Sequence, residues 1–464
     1  MTCTAPRIGL LPLYLKLYDD TMPERRAEFS PFLSQVESGL VSRGIEVTRA
    51  EVCRVHREFA DALKLFDAAD VDLVVSLHLA YSPSLESVDL LSELDKPLLL
   101  LDTTMDAAFG TDVDAARIMY NHGIHGVQDL ACMLRRRGRS YRIVAGHVSE
   151  PETLARAADA AKAARAARSL RQTRGLRVGP AFEGMGDFAV DEEHLAKALG
   201  VTIDDMSYDD LRKKAEAVSE EAVEAELAAD RKRFDLDVSI EVHRRSVRAG
   251  LALRAALEDG NYHAFSVNFL AFQESEGPLT VMPFLEISKA MARGLGYSGE
   301  GDVFTAAMVG ALCRGFGDTT FTEIFCPDWA GNTLFLSHMG EVNPAVLSGR
   351  PKLLEKPFPF TQALNPAFVT GPLRPGPGVL VNLAPGPSNR YGIIAAPVEV
   401  LAETPNPSLA NTIHGWIRPE RPLPEFLEQY SLHGGTHHSA LVLGNRLEGL
   451  RAFAEFAGLE CVVL

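Results

Sequence analysis

The chain has neither long hydrophobic runs nor clustered basic residues. No apolar stretch approaches the ~20 residues that a membrane-spanning helix requires. The net charge over 464 residues is −16, and the densest basic run is "RRRGR" at residues 135–139. Binding to a phosphate backbone requires concentrated lysine and arginine side chains. The sequence therefore predicts that the protein binds neither a membrane nor a nucleic acid.

Cysteine is scarce and scattered. The six cysteines form no CxxC pair; they are Cys3, Cys53, Cys132, Cys313, Cys326 and Cys461. This distribution indicates reduced thiols, and neither a disulfide framework nor a zinc knuckle. The first residues, "MTCTAPRIGLLPLYLKLYDD", lack the basic start and the small-residue cleavage site of a signal peptide. We therefore expect a cytoplasmic protein.

The length and the hydrophobic pattern predict an α/β protein of three domains. Over residues 1–172, short apolar runs alternate with helical patterns, which predicts a doubly wound parallel sheet. A second unit of this kind is predicted over residues 173–317, with helices around 219–233, 239–259, 280–294 and 302–315. From residue 318 proline and glycine become frequent and short β-rich runs appear. Residues 318–464 therefore predict a mostly β, barrel-like C-terminal domain.

Two glutamates and a histidine cluster are unusual features of this β-rich part. Glu323 lies in "DTTFTEIFCPDW" and Glu341 in "LFLSHMGEVNP", where an unpaired carboxylate would be unfavourable. Three of the thirteen histidines fall in "HGGTHH" at residues 433–438. Carboxylate oxygens with an imidazole nitrogen suit Mn²⁺, Mg²⁺ or Co²⁺, whereas zinc draws more cysteine and histidine. The residues alone are compatible with two alternatives. The first is a metal site. The second is a pair of hydrogen-bonded structural carboxylates, with the histidines in a solvated loop.

Four stretches of the chain resemble the L-arabinose isomerase family, which in its wide sense includes L-fucose isomerase. They are "GYSGEGDVFTAAM" (296–308), "GDTTFTEIF" (317–325), "GNTLFLSHMGEVNP" (331–344) and "HGGTHHSALVLGNRLEGLRAFAEFAGLECVVL" (433–464). Their order and spacing hold over residues 245–464. The first 240 residues agree with the family mainly in their pattern of strands and helices.

The resemblance implies a metal-dependent sugar isomerase. It implies a divalent metal, Mn²⁺ before Mg²⁺ or Co²⁺, with Glu323, Glu341 and His438 as ligands. His437 is then expected beside the substrate. The two glutamates are implied as the base and acid that move a proton between C1 and C2 through an enediol. Gly434 and Gly435 are expected to let the backbone aim both imidazoles inward.

The resemblance also implies a sugar pocket shared between subunits. His122, in "YNHGIHG", matches a histidine that reaches a neighbouring subunit's pocket. Lys16 and Tyr18 lie where the family has pocket-lining residues. A homotrimer or homohexamer with sites completed across the interface is therefore expected.

Three departures from the family's pattern affect the expected substrate. Pro357 stands where a further metal-binding histidine falls, Leu15-Lys16 replaces the pocket's Gln-His, and the chain ends at Leu464 without the C-terminal extension. We expect a pentose or 6-deoxyhexose other than plain L-arabinose. The alternatives are a related enolising sugar epimerase and a catalytically silent sugar-binding protein on the same fold.

Overall fold

The computed structural model describes residues 5–403 and 406–464, so Cys3 lies outside the described residues. The chain divides between Arg165 and Ala166 into two compact units. The predicted domain boundaries after residues 172 and 317 stay predictions. Of the helices in the described ranges, none is both long and apolar enough to cross a bilayer.

The first unit is built on a five-stranded parallel sheet in the order β2-β1-β3-β4-β5. Its strands are β1 (Arg7–Leu13), β2 (Glu46–Arg49), β3 (Leu73–His78), β4 (Leu98–Asp102) and β5 (Arg142–Ala145). Its helices are α1 (Lys16–Thr21), α2 (Ser30–Val41), α3 (His56–Ala68), α4 (Val88–Glu93), α5 (Ile118–Asn121) and α6 (Ile124–Arg136), and α7 (Pro151–Arg171) crosses the division. The central strands β1, β3 and β4 are almost wholly buried, which explains their unbroken apolar runs.

The second unit begins with a four-stranded parallel sheet and its helices. The sheet has the order β10-β9-β6-β7, with β6 (Arg174–Val178), β7 (Thr202–Met206), β9 (Ala264–Val267) and β10 (Gly296–Gly299). The helices are α8 (Glu192–Leu199), α9 (Tyr208–Glu216), α10 (Glu220–Arg233), α11 (Ile240–Asp259), α12 (Phe284–Ala292) and α13 (Val303–Phe316). A small three-stranded sheet, β14-β13-β8, comprises β8 (Asp235–Asp237), β13 (Lys352–Glu355) and β14 (Ala367–Thr370).

An antiparallel barrel completes the second unit. Its strands are β11 (Thr319–Asp328), β12 (Thr333–His338), β15 (Gly376–Pro385), β16 (Tyr391–Val400), β17 (Ile413–Pro419) and β18 (His438–Leu443), accompanied by α14 (Leu423–Leu432), α15 (Leu447–Ala457) and β19 (Glu460–Val463). The strands run in the order β15-β18-β11-β12-β17-β16, and pairing of β15 with β16 closes the ring. Strand β19 pairs in parallel with β16. The predicted class, two doubly wound parallel sheets followed by a mostly β, barrel-like part, is confirmed.

Helix α13 packs tightly against strand β10. The strand ends just before the residues that reach the candidate site, and the helix begins just after them. Every residue of α13 except Arg314 is buried. A Cβ atom at Gly296 would collide with the backbone carbonyl of Ala306 and lie 2.5 Å from the amide nitrogen of Gly310. Glycine at 296 therefore fixes the spacing between the strand and the helix.

Replacing Gly296 tests this packing. Gly296→Ala should lower the free energy of unfolding by about 1–3 kcal/mol, the usual range for overpacking, because the colliding atoms belong to the backbone. Gly186→Ala is the matched control, since a Cβ there meets no atom within 4 Å. Thermal denaturation of both variants measures the effect. Equal midpoints for the two variants would contradict the packing argument.

Candidate functional site

The site lies on three neighbouring strands of the barrel. Glu323 on β11 pairs in register with His438 at the start of β18 and with Ser337 on β12. His338 is the last residue of β12. Antiparallel pairing therefore brings together residues that are more than a hundred positions apart in the sequence.

Two groups of donor atoms meet at His438. Donor atoms of Glu323, His338 and His438 lie within 4.8 Å of one another. A second group of Glu300, His437 and His438 satisfies the same limit. The Nε2 atom of His438 is fully buried and has no hydrogen-bond partner among the described residues. A buried nitrogen that faces carboxylates without a hydrogen bond is the arrangement that a bound cation satisfies.

Each imidazole of these groups is held from behind by a carboxylate. In all three cases the Nδ1 atom is the contact, and the pairs are His338 with Glu341 at 2.8 Å, His438 with Asp302 at 2.9 Å and His437 with Asp187 at 2.5 Å. When Nδ1–H donates to a carboxylate, the tautomer is fixed and the Nε2 lone pair is left for a ligand. The site is therefore preorganised around its Nε2 atoms.

Glu323 differs from Glu341 in having a carboxylate without a hydrogen bond in the described part of the chain. No hydrogen bond of its side chain is found within the described ranges, although the residue is only partly exposed. Burial raises the pKa of Glu323, and the neighbouring histidines His338 and His438 oppose that rise. A carboxylate of this kind is available both to bind a cation and to carry a proton.

Glu341 lies behind His338 and outside both donor groups. Its Oε1 accepts a hydrogen bond from the Tyr297 hydroxyl at 2.7 Å, and its Oε2 accepts from His338 and from the Gly340 amide at 2.8 and 2.7 Å. Burial favours the protonated acid, but these contacts, with His338 foremost, hold the pKa of Glu341 below its ordinary value. Its carboxylate is ionised and firmly positioned.

A loop of the central region contacts the histidine pair. Asp187 accepts hydrogen bonds from the backbone amide and the Nδ1 of His437, and the Phe188 ring stacks on His438 with centroids 5.6 Å apart. Burial alone would raise the pKa of Asp187, yet His437 lowers it to about 2. Burial alone would lower the pKa of His437, yet Asp187 and Glu300 raise it to about 10.

The glycines before the histidine pair shape the turn. Gly434 has a φ of 77°, in the left-handed region that glycine tolerates. A Cβ atom at Gly435 would collide with the ring of Tyr430. The chain then enters β18 with His438 buried and His437 partly exposed, while His433 is exposed.

The other predicted site residues belong to the first unit. The Tyr18 hydroxyl and the Nε2 of His122 lie 3.1 Å apart, and the Nδ1 of His122 contacts the Ile118 carbonyl at 2.9 Å. Lys16 instead forms an ion pair with Asp20 at 2.6 Å on the same helix, with both side chains more than half exposed. The structure therefore joins Tyr18 to His122, while the Lys16 ammonium is engaged at the surface.

Three further residues of the site, Glu300, Asp302 and Asp187, have no role predicted from the sequence. Glu300 and Asp302 lie in "SGEGD", within the segment 296–308 that resembles the family, and this resemblance was the available signal. Asp187 is 250 positions from His437 and carries no comparable local signal.

Comparison with known proteins gives consistent matches along the chain. Family models match residues 33–172, 183–314 and 318–460, as the N-terminal, central and C-terminal domains of L-arabinose isomerase. The L-arabinose isomerase of Geobacillus kaustophilus is 31% identical, over 84% of this chain and 80% of the relative. Those of Acidothermus cellulolyticus and Saccharophagus degradans are 29% and 28% identical, over 85% and 92% of this chain and 81% and 86% of theirs.

The pairing of Asp187 with His437 predicts a pH-dependent contribution to stability. Asp187 has a lowered pKa, so its contribution is present above 3.8 and is lost as the pH falls towards about 2. His437 has a raised pKa, so its contribution is complete below 6.5 and is lost as the pH rises through about 10. The pair therefore stabilises the fold most between these limits, at mildly acidic pH.

Asp187→Asn tests the pairing directly. The pKa of His437, followed by NMR in chelator-treated protein, should fall because burial persists while the partner's charge is lost. Asp20→Asn, which removes an exposed carboxylate of the first unit, should leave that titration unchanged. An unaltered His437 titration in Asp187→Asn would disprove the pairing.

Proposed function

The chain belongs to the L-arabinose isomerase family and is an aldose–ketose isomerase, and on this premise we propose that its activity requires a divalent metal bound around Glu323 and His438. The observation that supports the proposal is the buried Nε2 of His438, which makes no hydrogen bond with any described residue and lies near the Glu323 carboxylate, itself without a hydrogen bond in the described part of the chain. Oxygen ligands with few nitrogens favour Mn²⁺, with Mg²⁺ or Co²⁺ as alternatives.

Glu341 is proposed as the third ligand, as the family resemblance implies. Its Oε1 accepts a single hydrogen bond, from Tyr297, and so keeps a lone pair for a cation. The contacts of its Oε2 with His338 and Gly340 fix the direction of the carboxylate. Pro357 stands where the family resemblance would place a further metal-binding histidine. Other groups must therefore complete the set of ligands.

The proposed chemistry is proton transfer between C1 and C2 of the sugar. A bound divalent cation would stabilise the negative charge that develops on the sugar oxygens in the enediolate. Glu323 and Glu341 are proposed as the base and acid: Glu323 would move the carbon-bound proton, and Glu341, which is ionised at rest, would first accept the C2 hydroxyl proton and then donate it to O1. Glu323 is the better first acceptor of the carbon-bound proton, because its carboxylate breaks no hydrogen bond on protonation.

The sugar is proposed to be a neutral pentose or 6-deoxyhexose other than plain L-arabinose. Leu15 and Lys16 alter the expected pocket, and the ion pair of Lys16 with Asp20 leaves its charge satisfied without an acidic substrate. His437, which is partly exposed beside His438, is proposed to contact the sugar. Tyr18 and His122 are proposed, from the resemblance alone, to line a sugar pocket, His122 that of a neighbouring subunit. A homotrimer or homohexamer with shared sites is proposed from the match of His122 to the family's intersubunit histidine, and a cytoplasmic location from the scattered cysteines.

Removal of the ligands tests the metal requirement. Glu323→Gln, Glu341→Gln and His438→Asn should each lower kcat at least ~100-fold, since metal binding and proton transfer both depend on these groups. His433→Ala is the matched control, because this histidine of the same segment is exposed. Metal analysis and an aldose–ketose exchange assay on a panel of sugars provide the readouts. Full activity in protein verified to be free of metal would refute the requirement.

Lys16→Met tests the proposed neutral substrate. The change should alter kcat/KM by less than about threefold on neutral and acidic sugars alike, because exposed ion pairs contribute only ~0–1 kcal/mol. Steady-state kinetics on both sugar classes measures this. A fall in kcat/KM confined to acidic sugars would show that Lys16 binds a substrate anion.

A further inference from the structure

Tyr297 carries a buried hydroxyl group that the proposed chemistry does not use. The residue is 0% exposed, and its hydroxyl donates to the Oε1 atom of Glu341 at 2.7 Å. Burial of a hydroxyl is unfavourable without a hydrogen-bond partner, and a hydrogen bond to a carboxylate is among the stronger ones. Phenylalanine would fill the same space without this requirement. The hydroxyl therefore indicates a function that involves Glu341.

The ring of Tyr297 is held by aromatic side chains of two neighbouring strands. Tyr297 on β10 pairs in register with Phe265 on β9, and the centroids of the two rings are 5.2 Å apart. The ring of Phe321, on β11, meets it in a T-shaped contact at 5.5 Å. Close packing of this kind restricts the ring to one orientation. The hydroxyl is therefore a rigid donor, and the central parallel sheet carries it.

The Glu341 side chain depends on such contacts for its direction. Glu341 lies directly after β12, in a segment that forms neither helix nor strand. Two donors to its carboxylate, His338 and the Gly340 amide, are at most three positions away and move with this segment. Tyr297, 44 positions away, is the third donor. Among the hydrogen bonds of the described residues, it alone ties the carboxylate to the central sheet.

The backbone around Glu341 is anchored independently of Tyr297. The Val342 amide donates to the Ser288 hydroxyl at 3.4 Å, and a Cβ atom at Gly340 would collide with the ring of Phe284. Both contacts come from helix α12. Loss of the Tyr297 hydroxyl would thus release the carboxylate of Glu341 while the surrounding chain keeps its place.

We propose that Tyr297 is a positioning residue of the isomerisation, which acts through Glu341. The proposal rests on the acid–base role of Glu341 proposed above and names the group that directs its carboxylate. Transfer of a proton from the C2 hydroxyl to O1 requires the carboxylate to reach both sugar oxygens, at heavy-atom distances of about 2.6–3.2 Å. A carboxylate that rotates freely meets this requirement for less of the time. The Tyr297 hydroxyl holds Oε1, while His338 and the Gly340 amide hold Oε2.

Tyr297→Phe removes the hydroxyl and keeps the ring, and Tyr262→Phe is the matched control. Tyr262 is also buried, and its hydroxyl donates to the carboxylate of Asp204 at 2.9 Å, outside the site. Both variants lose a hydrogen bond between a tyrosine and a carboxylate, so a difference in activity between them reports where that bond lies.

Steady-state kinetics at saturating MnCl₂ measures the effect, on the sugar that the wild type converts fastest. Tyr297→Phe should lower kcat about tenfold and leave KM within about twofold of the wild type, because the hydroxyl acts on proton transfer and not on sugar binding. Tyr262→Phe should match the wild type in both constants. Thermal denaturation verifies that both variants are folded at the assay temperature.

Three results would overturn the positioning role alone while Glu341→Gln is strongly impaired. They are a kcat of Tyr297→Phe within about twofold of the wild type, a raised KM at unchanged kcat, and equal losses of kcat in the two tyrosine variants. Full activity of Glu341→Gln would instead overturn the proposed role of Glu341, and the role of Tyr297 with it.

Discussion

The hydrogen bond between Asp302 and His438 fixes the group around which the site is arranged. Asp302 is also the N-cap of helix α13, where it accepts from the Thr305 amide. One carboxylate therefore anchors the helix and orients the imidazole. Because α13 is buried along almost its whole length, the Nδ1 side of His438 is held by a rigid element and its Nε2 atom faces Glu323 and Glu300. Preorganisation of this kind lowers the free energy of arranging ligands around a cation.

The closed barrel supplies the other half of the arrangement. Strands β11, β12 and β18 are adjacent, so that the positions of Glu323, His338 and His438 are set by the register of backbone hydrogen bonds. The central parallel sheet contributes Glu300 from the end of β10, and the loop after β6 contributes Asp187. Residues from two sheets thus meet at one cluster, and each histidine of the cluster has a carboxylate on its far side.

Much of this architecture was predictable from the sequence because its signals are local. The helices predicted around 219–233 and 302–315 are α10 at Glu220–Arg233 and α13 at Val303–Phe316. Strand β10 was not predicted, since "GYSG" has two glycines and no β-branched residue, and it forms only because β9 and α13 enclose it. Strand β7 was also not predicted, because Asp204 and Asp205 make it polar. Arginines of the neighbouring strand β6 neutralise both aspartates.

The candidate site was predictable only in part, for the same reason. Glu323, Glu341 and the histidine pair stand in recognisable segments, but their juxtaposition depends on strand register. The contact of Asp187 with His437 and the direction of the Glu300 side chain arise from tertiary structure alone. The roles of Lys16, Tyr18 and His122 stay predictions, although the contact of Tyr18 with His122 was not foreseen from the sequence.

The most direct measurement is anomalous X-ray diffraction at the manganese edge from crystals soaked in MnCl₂. We expect one anomalous peak in bonding contact with the Nε2 of His438 and the carboxylate of Glu323. An anomalous peak at another place in the chain, without one at His438, would contradict the proposed metal site. So would the absence of any peak at His438 in crystals whose Mn²⁺ content has been verified.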